Sequence, residues 1–420
     1  LCENGSVSAI GAFDELRKRY PAAAVLNAEG KVVLPGLINA HHHLYSTFSR
    51  GMPIPAGTKL TNFVEVLEGI WWRLDRAIDL TDVEVGAWPP LVECLRWGCT
   101  TFIDHHASPE AIIGSLDALA KVADALSLRG SFCYELTDRN GSEGAKLGIE
   151  ENSRFAKRCS AGSRHRPLLG LHASFTVSDE TLAMAAKNWP TDVPIHIHVA
   201  EDLSDVTSTK DKYGRTIVER LEAYGLLRKG SVLVHGIHLA ESDLKKIADA
   251  GAWLVHNPES NANNAVGHLD VLRAMDLGVN VALGTDGMAS NMLRAAKSAY
   301  LMIRHQRRTP TVGYELPRKL LLEQNVKLAQ QLFGDSTIGT LKVGAPADLC
   351  VLDYLSPTPL DSSNFDGHLI FGLTEAPVLA TVADGKVRFD RGSFPGIDFQ
   401  ELNHRLSESA KRVFERLGKI

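Results

Sequence analysis

The sequence predicts an α/β protein: a (β/α)8 barrel of the TIM type, carrying a small composite β-sandwich built from both chain ends. Three observations predict it. Eight apolar, strand-like runs follow one another at 33–43, 100–106, 130–137, 168–174, 194–200, 231–238, 252–257 and 279–286. Helical spacing of apolar residues fills most of the gaps, as at 111–128, 178–187, 216–224 and 241–248. Such alternation, eight times over roughly 250 residues, is the pattern of a closed parallel barrel. The third observation is that polar clusters stand at the C-terminal ends of the runs, the face on which such barrels carry their sites.

The chain ends read differently. Residues 1–34 hold short strand-like pieces at 2–10 and 25–34, and residues 338–392 hold others at 349–352 and 380–389, the latter around Asp384-Gly385. We expect 1–34 and 338–392 to form one composite sandwich, with 35–337 as the barrel. The N-terminal half is short for its part, as if truncated, and the chain begins with Leu1 rather than Met. Leu406, Ala410, Val413, Phe414 and Leu417 make one helical stripe, so 393–420 is expected to be a packed C-terminal helical segment.

Bulk properties narrow the function. The chain has 420 residues, enough for a large core, with 44% hydrophobic and 23% charged residues, as in ordinary soluble enzymes. A net charge of −5 without a basic run excludes nucleic acid as a natural partner. No apolar stretch approaches the ~20 residues of a membrane span. None of the six cysteines forms a CxxC pair. They read as buried or incidental thiols in a reducing compartment, so a cytoplasmic location is expected.

Four segments carry the chemistry: Asn39-Ala40-His41-His42-His43, His196-Ile197-His198-Val199-Ala200-Glu201, Val234-His235-Gly236 and Gly284-Thr285-Asp286-Gly287. In an extended strand, residues i and i+2 point the same way, so His41 and His43 can reach one ion while His42 turns away. A lone His-x-His is weak, but His198, His235 and Asp286 can join from later strand ends. Several neutral imidazoles with a carboxylate suit zinc, iron or another borderline divalent ion.

These segments resemble the amidohydrolase superfamily, in the aminohydrolase branch of guanine, cytosine and 8-oxoguanine deaminases and triazine chlorohydrolases. Pro35-Gly36-Leu37-Ile38-Asn39-Ala40-His41-His42-His43 is similar to that branch's PGxxxxHxH, and His198-Val199-Ala200-Glu201 to its HxxE. Leu233-Val234-His235-Gly236 and Leu283-Gly284-Thr285-Asp286 resemble its sixth-strand His and eighth-strand Asp. Within the branch, Trp71-Trp72-Arg73-Leu74-Asp75-Arg76-Ala77, residues 103–109 and 356–360, and Thr137-Asp138-Arg139-Asn140 are most similar to the SsnA-like aminohydrolases. The resemblance implies one divalent ion held by His41, His43, His198 and Asp286, with zinc the first choice and Fe2+ the second. His235 would stand beside the water that the ion activates. No lysine occupies the place of the bridging residue of binuclear relatives. The substrate would be a small heterocycle, and a homodimer is common for such enzymes.

Glu201 is either a carboxylate at a helix N-terminus or a proton shuttle from water to a ring nitrogen and then to departing ammonia. Asp286 would share the work as base. For the substrate pocket, the candidates are Trp71, His106, Asp138, Arg139, His172, Ser260 and Asn261. All but Ser260 have a structural alternative: His106 and His172 as hydrogen-bonded walls, Asp138 with Arg139 as a loop-closing ion pair, Asn261 as a turn residue, and Trp71 as packing. The expected reaction is hydrolytic deamination of an aminated purine, pyrimidine or related ring. The alternatives are another leaving group, chloride or a cyclic amide, and a non-catalytic metal-binding relative.

Overall fold

The computed structural model describes residues 1–159 and 162–420. Eight parallel strands form its centre: β1 (Leu37–His42), β2 (Cys99–His106), β3 (Arg129–Leu136), β4 (Leu169–Ala173), β5 (Ile195–Val199), β6 (Val232–His235), β7 (Trp253–His256) and β8 (Asn280–Leu283). They pair in chain order, as in β6 on β7, where Val232 to Val234 stand opposite Trp253 to Val255. Each of the eight expected runs contains one barrel strand. The runs are continuously apolar because both faces are covered. Ala40, Ile103, Cys133, Val234 and Val255 fill the barrel, while Phe102, Phe132, Leu171 and Leu233 meet the helices outside.

The expected helices are also present, at Ser115–Ala125, Asp179–Asn188, Ile217–Ala223 and Glu241–Ala250. Local chemistry starts two of them. Ser178 accepts from Thr181 N, and Thr216 and Glu219 cap each other reciprocally. No described helix is long and apolar enough to cross a membrane.

The first expected run, 33–43, is two strands rather than one. Val32–Pro35 belongs to a separate four-stranded antiparallel sheet with Leu349–Leu352, Val378–Ala383 and Lys386–Asp390, so both chain ends contribute to it. The chain passes between sheets at Gly36, where a Cβ would stand 2.1 Å from Thr100 Oγ1. The N-terminal pieces are smaller than expected. Cys2–Glu3 and Ser6–Val7 form a ribbon stitched to the segment around Ala345, and Phe13–Arg19 is a helix. The C-terminal stripe forms the helix Phe399–Leu417, with Leu402, Val413 and Leu417 buried. Arg412 and Arg416 tie it to the buried Asp82.

Between β8 and β1 the barrel is closed by a different set of bonds. Thr285 N and Asp286 N both donate to His41 O, at 3.1 and 3.0 Å, beside one parallel bridge between His42 and Asp286. Two buried amides do the rest. Asn39 donates to Thr285 Oγ1 at 2.6 Å and accepts from Thr285 N at 3.2 Å. Asn325 accepts from Leu283 N at 2.7 Å and donates to Ile38 O and Leu283 O at 2.7 and 2.9 Å. Replacing Asn325 by Ala leaves a buried N–H and two carbonyls unpaired. We expect Asn325→Ala to lose about 2–4 kcal/mol of stability, read from the urea midpoint at constant slope. A midpoint equal to wild type would refute this account of the seam.

Candidate metal centre and active site

The side chains of β1, β5, β6 and the β8 end converge at one mouth of the barrel. His43 Nε2 lies 3.2 Å from His198 Nε2 and 3.2 Å from Asp286 Oδ1. His41 Nε2 is 3.6 Å from the same Asp286 oxygen, and His235 Nε2 is 3.7 Å from the other. Glu201 Oε2 reaches His235 Nε2 at 3.3 Å. His42 turns away, as strand alternation requires, and meets Ser290 Oγ at 3.0 Å.

The backbone is bent to present these groups. Ala200, His235 and Asp286 have left-handed φ values of 46°, 73° and 58°. Such conformations cost non-glycine residues of order 1–3 kcal/mol each and gather at functional sites. Asp205 helps to hold the first of these turns: its carboxylate accepts from Ala200 N at 2.9 Å and Phe175 N at 3.0 Å. That turn sets Glu201 into the cleft.

The outer nitrogen of each imidazole is committed elsewhere. His43 Nδ1 donates to His105 O at 2.6 Å and His198 Nδ1 to His172 O at 2.8 Å. His235 Nδ1 donates to Asn261 Oδ1 at 2.8 Å. His41 Nδ1 meets His196 Nε2 at 2.9 Å, and His196 Nδ1 lies 3.6 Å from Cys133 Sγ. With His41 donating outward, the chain runs His41 to His196 to Cys133, and the inward Nε2 keeps its lone pair. Among the described residues, His41 Nε2 and His235 Nε2 are buried without a hydrogen-bond partner.

Electrostatics point the same way. Burial pushes His41 down to about 4 and His198 well below the ordinary imidazole range, so both are neutral donors at neutral pH. Burial also works against charge on His43, yet the Asp286 carboxylate beside it holds it at about 9. Asp286 itself stays well below the usual carboxylate range, because His41 and His43 outweigh its burial. The point between them therefore favours positive charge. Donors 2.0–2.1 Å from a tetrahedral zinc ion stand about 3.3 Å apart, close to the separations seen here. The residues present fit a divalent ion. The Glu201 carboxyl differs: burial pushes it up, opposed by His235 and reinforced by Asp286, and Asn264 Nδ2 donates to its Oε1 at 3.1 Å.

A cleft opens over this cluster. Trp71, Arg139, His172 and Ser260 line it, as the sequence suggested. Ser260 also donates to Asp286 Oδ2 at 2.7 Å. His106, Asp138 and Asn261 are not among the lining residues. His106 falls on the outer side of β2 and pairs with Ser108 Oγ at 2.9 Å, because the inward position of that strand end belongs to His105. Asn261 acts through His235. Asp138 does not pair with Arg139; it accepts from Ser178 N and, at 2.5 Å, from Thr181 Oγ1 at the start of a helix. The sequence reading missed Asp75, Glu135 and Asn264, all of which line the cleft. A charged Glu135 inside an apolar strand run was the available signal. Asp138→Ala should lower stability by about 1–2 kcal/mol while ligand affinity stays within twofold. Calorimetry that finds the reverse would return Asp138 to the pocket.

The sequence profile of the amidohydrolase family matches residues 32–388. A 5-methylthioadenosine/S-adenosylhomocysteine deaminase from Thermococcus sibiricus is 31% identical over 392 residues, 92% of this chain and 88% of its own. A 5'-deoxyadenosine deaminase from Methanosarcina barkeri is 29% identical over 425 residues, 100% of this chain and 94% of its own. Among solved structures, an adenosine deaminase from Xanthomonas campestris with bound zinc has a TM-score of 0.82 at 22% identity, covering 99% of this chain and 93% of its own. Guanine deaminase from E. coli has a TM-score of 0.78 at 23% identity, covering 93% and 92%. With a matched profile across the barrel and a closed cluster of strand-end imidazoles and carboxylates, the chain belongs to the amidohydrolase family, whose members are metal-dependent.

Proposed function

We propose that this protein is a metal-dependent aminohydrolase that removes an exocyclic amine from a nitrogen heterocycle, with an aminated purine ring the first candidate. One observation carries the reading: Asp286 touches the imidazole cluster, while Glu201, a second carboxyl across His235, reaches the same cleft. Ester or phosphate hydrolysis has less need of a second mobile proton. Three of the proteins named above are, by name, deaminases of adenosine-type compounds and the fourth of guanine, all of them aminated purines.

His41, His43, His198 and Asp286 would hold the ion, zinc in the first instance and Fe2+ in the second. When bound, the ion supplies Lewis-acid activation, lowering the pKa of water towards ~7 from 15.7. The chain's own groups do the proton work. Asp286 takes a proton from the attacking water, and His235, fixed by Asn261, orients that water. Attack on the ring carbon breaks aromaticity and puts negative charge on the adjacent ring nitrogen. Glu201, whose carboxyl is raised and held by Asn264, gives that nitrogen a proton. Recharged with the proton that Asp286 took from the water, it then protonates the amine, which leaves as ammonia while the new hydroxyl gives its proton to Asp286.

Protein purified without chelator should contain close to one zinc or iron per chain by elemental analysis, and His198→Ala should lose most of it. Two ions per chain, or none, would overturn the ligand assignment. Glu201→Gln should keep its ion and its fold but turn over about 10²–10⁴ times more slowly. The direct assay screens aminated purines, pyrimidines, pterins and triazines for ammonia release, with labelled water giving labelled product. Ring-opened or dechlorinated products without ammonia would reject deamination and leave the hydrolase assignment standing.

A further inference from the structure

A second ionisable group lies in the same cleft, and the proton chemistry above does not use it. Arg139, just past β3, donates through Nη1 and Nη2 to Asp75 Oδ2 at 3.2 and 3.1 Å. Its Nη2 also donates to Glu135 Oε1 at 2.6 Å and its Nε to Thr137 Oγ1 at 3.2 Å. The Trp72 ring covers the guanidinium at 4.6 Å. These bonds use four of the five N–H groups, so Arg139 has little left to offer a ligand.

Acceptors, by contrast, are in surplus. Asp75 is 1% exposed and lines the cleft, yet its Oδ1 has no hydrogen-bond partner among the described residues. Glu135 also lines the cleft, and its Oε2 lies 3.7 Å from His105 Nδ1. That nitrogen cannot serve as its donor. His105 Nε2 donates to Leu171 O at 3.1 Å, so in the neutral ring Nδ1 is a lone pair, and it too is unpartnered. Two carboxyl groups share one guanidinium, and burial, opposed by Arg139, holds that of Asp75 at about 7. His105 joins the wall to the imidazole cluster, with its ring centroid 4.7 Å from that of His198. The cluster and the wall line one and the same cleft.

We propose that Asp75 and Glu135 select the substrate by accepting a pair of neighbouring hydrogen-bond donors, with Arg139 holding the two carboxylates in position. The inference rests on the aminohydrolase reading of this cleft and narrows its substrate class. The donors are either the N–H groups of a ring carrying more than one amine or the vicinal hydroxyls of a ribose. Molecules with a carboxylate or phosphate at that end are repelled. A molecule without donors leaves Asp75 Oδ1 and Glu135 Oε2 without a partner, the situation in which polar sites discriminate strongly.

Calorimetric titration of the protein as purified with its ion tests this with two matched pairs: 2,6-diaminopurine against purine, and adenosine against 2',3'-dideoxyadenosine. Chromatography checks that each ligand survives. In at least one pair the donor-bearing member should bind tenfold or more tightly, and the responding pair identifies the donor source. Glu135→Gln and Asp75→Asn should each cut that preference at least fivefold, with metal content and circular dichroism unchanged. Equal affinity within both pairs, no binding by any of the four, or a preference intact in both folded variants overturns the proposal. Donor-dependent binding without ammonia from any compound keeps the selecting wall and rejects the deaminase reading instead.

Discussion

The seam between the last strand and the first is the constraint on which this molecule depends. His41 stands on one side and Asp286 on the other, almost the whole barrel apart in sequence. The carbonyl of His41 accepts the N–H groups of both Thr285 and Asp286. The bonds that close the barrel are thus the bonds that set the carboxylate against the imidazoles. Gly284 permits the approach, since a Cβ there would stand 2.9 Å from His41 N. A weaker seam would damage stability and site together.

Around that seam the protein gathers imidazoles and carboxylates out of water, which is costly unless each group is paired. The outer nitrogens are satisfied by carbonyls, by Asn261 and by the His196–Cys133 pair, and the inner ones are left facing each other. Asp286 at its centre favours positive charge, as the raised His43 shows. The left-handed residues at three strand ends add backbone strain to the same place, offset by rigid strands on either side.

The cleft divides its labour by strand. Strands β1, β5, β6 and the end of β8 supply the cluster of imidazoles and carboxylates. The end of β3 and the long segment after β1 supply Glu135, Arg139, Trp71, Trp72 and Asp75, which line the rest of the cleft. The C-terminal helix braces that segment, with Arg73 donating to Leu417 O at 2.8 Å and Arg412 and Arg416 on Asp82. One wall of the cleft is thereby held by a helix remote from it in the chain.

The sequence by itself determined the barrel and the gathering of His41, His43, His198, His235, Glu201 and Asp286, because both follow from local periodicity. Buried parallel strands must be apolar runs, residues two apart share a face, and parallel strands present all their C-terminal ends to one side. Tertiary structure alone decided what depends on partners distant in the chain. The split of the first run at Gly36 follows from its contact with Thr100. Asn325 belongs to the seam because it lies across β1 and β8, and nothing near it in sequence says so. Arg139 pairs with Asp75 and Glu135 rather than its neighbour Asp138, since Asp138 is drawn to a helix start. His106 read as a pocket residue because strand alternation says only that adjacent residues face opposite sides, and packing decides which of His105 and His106 faces in.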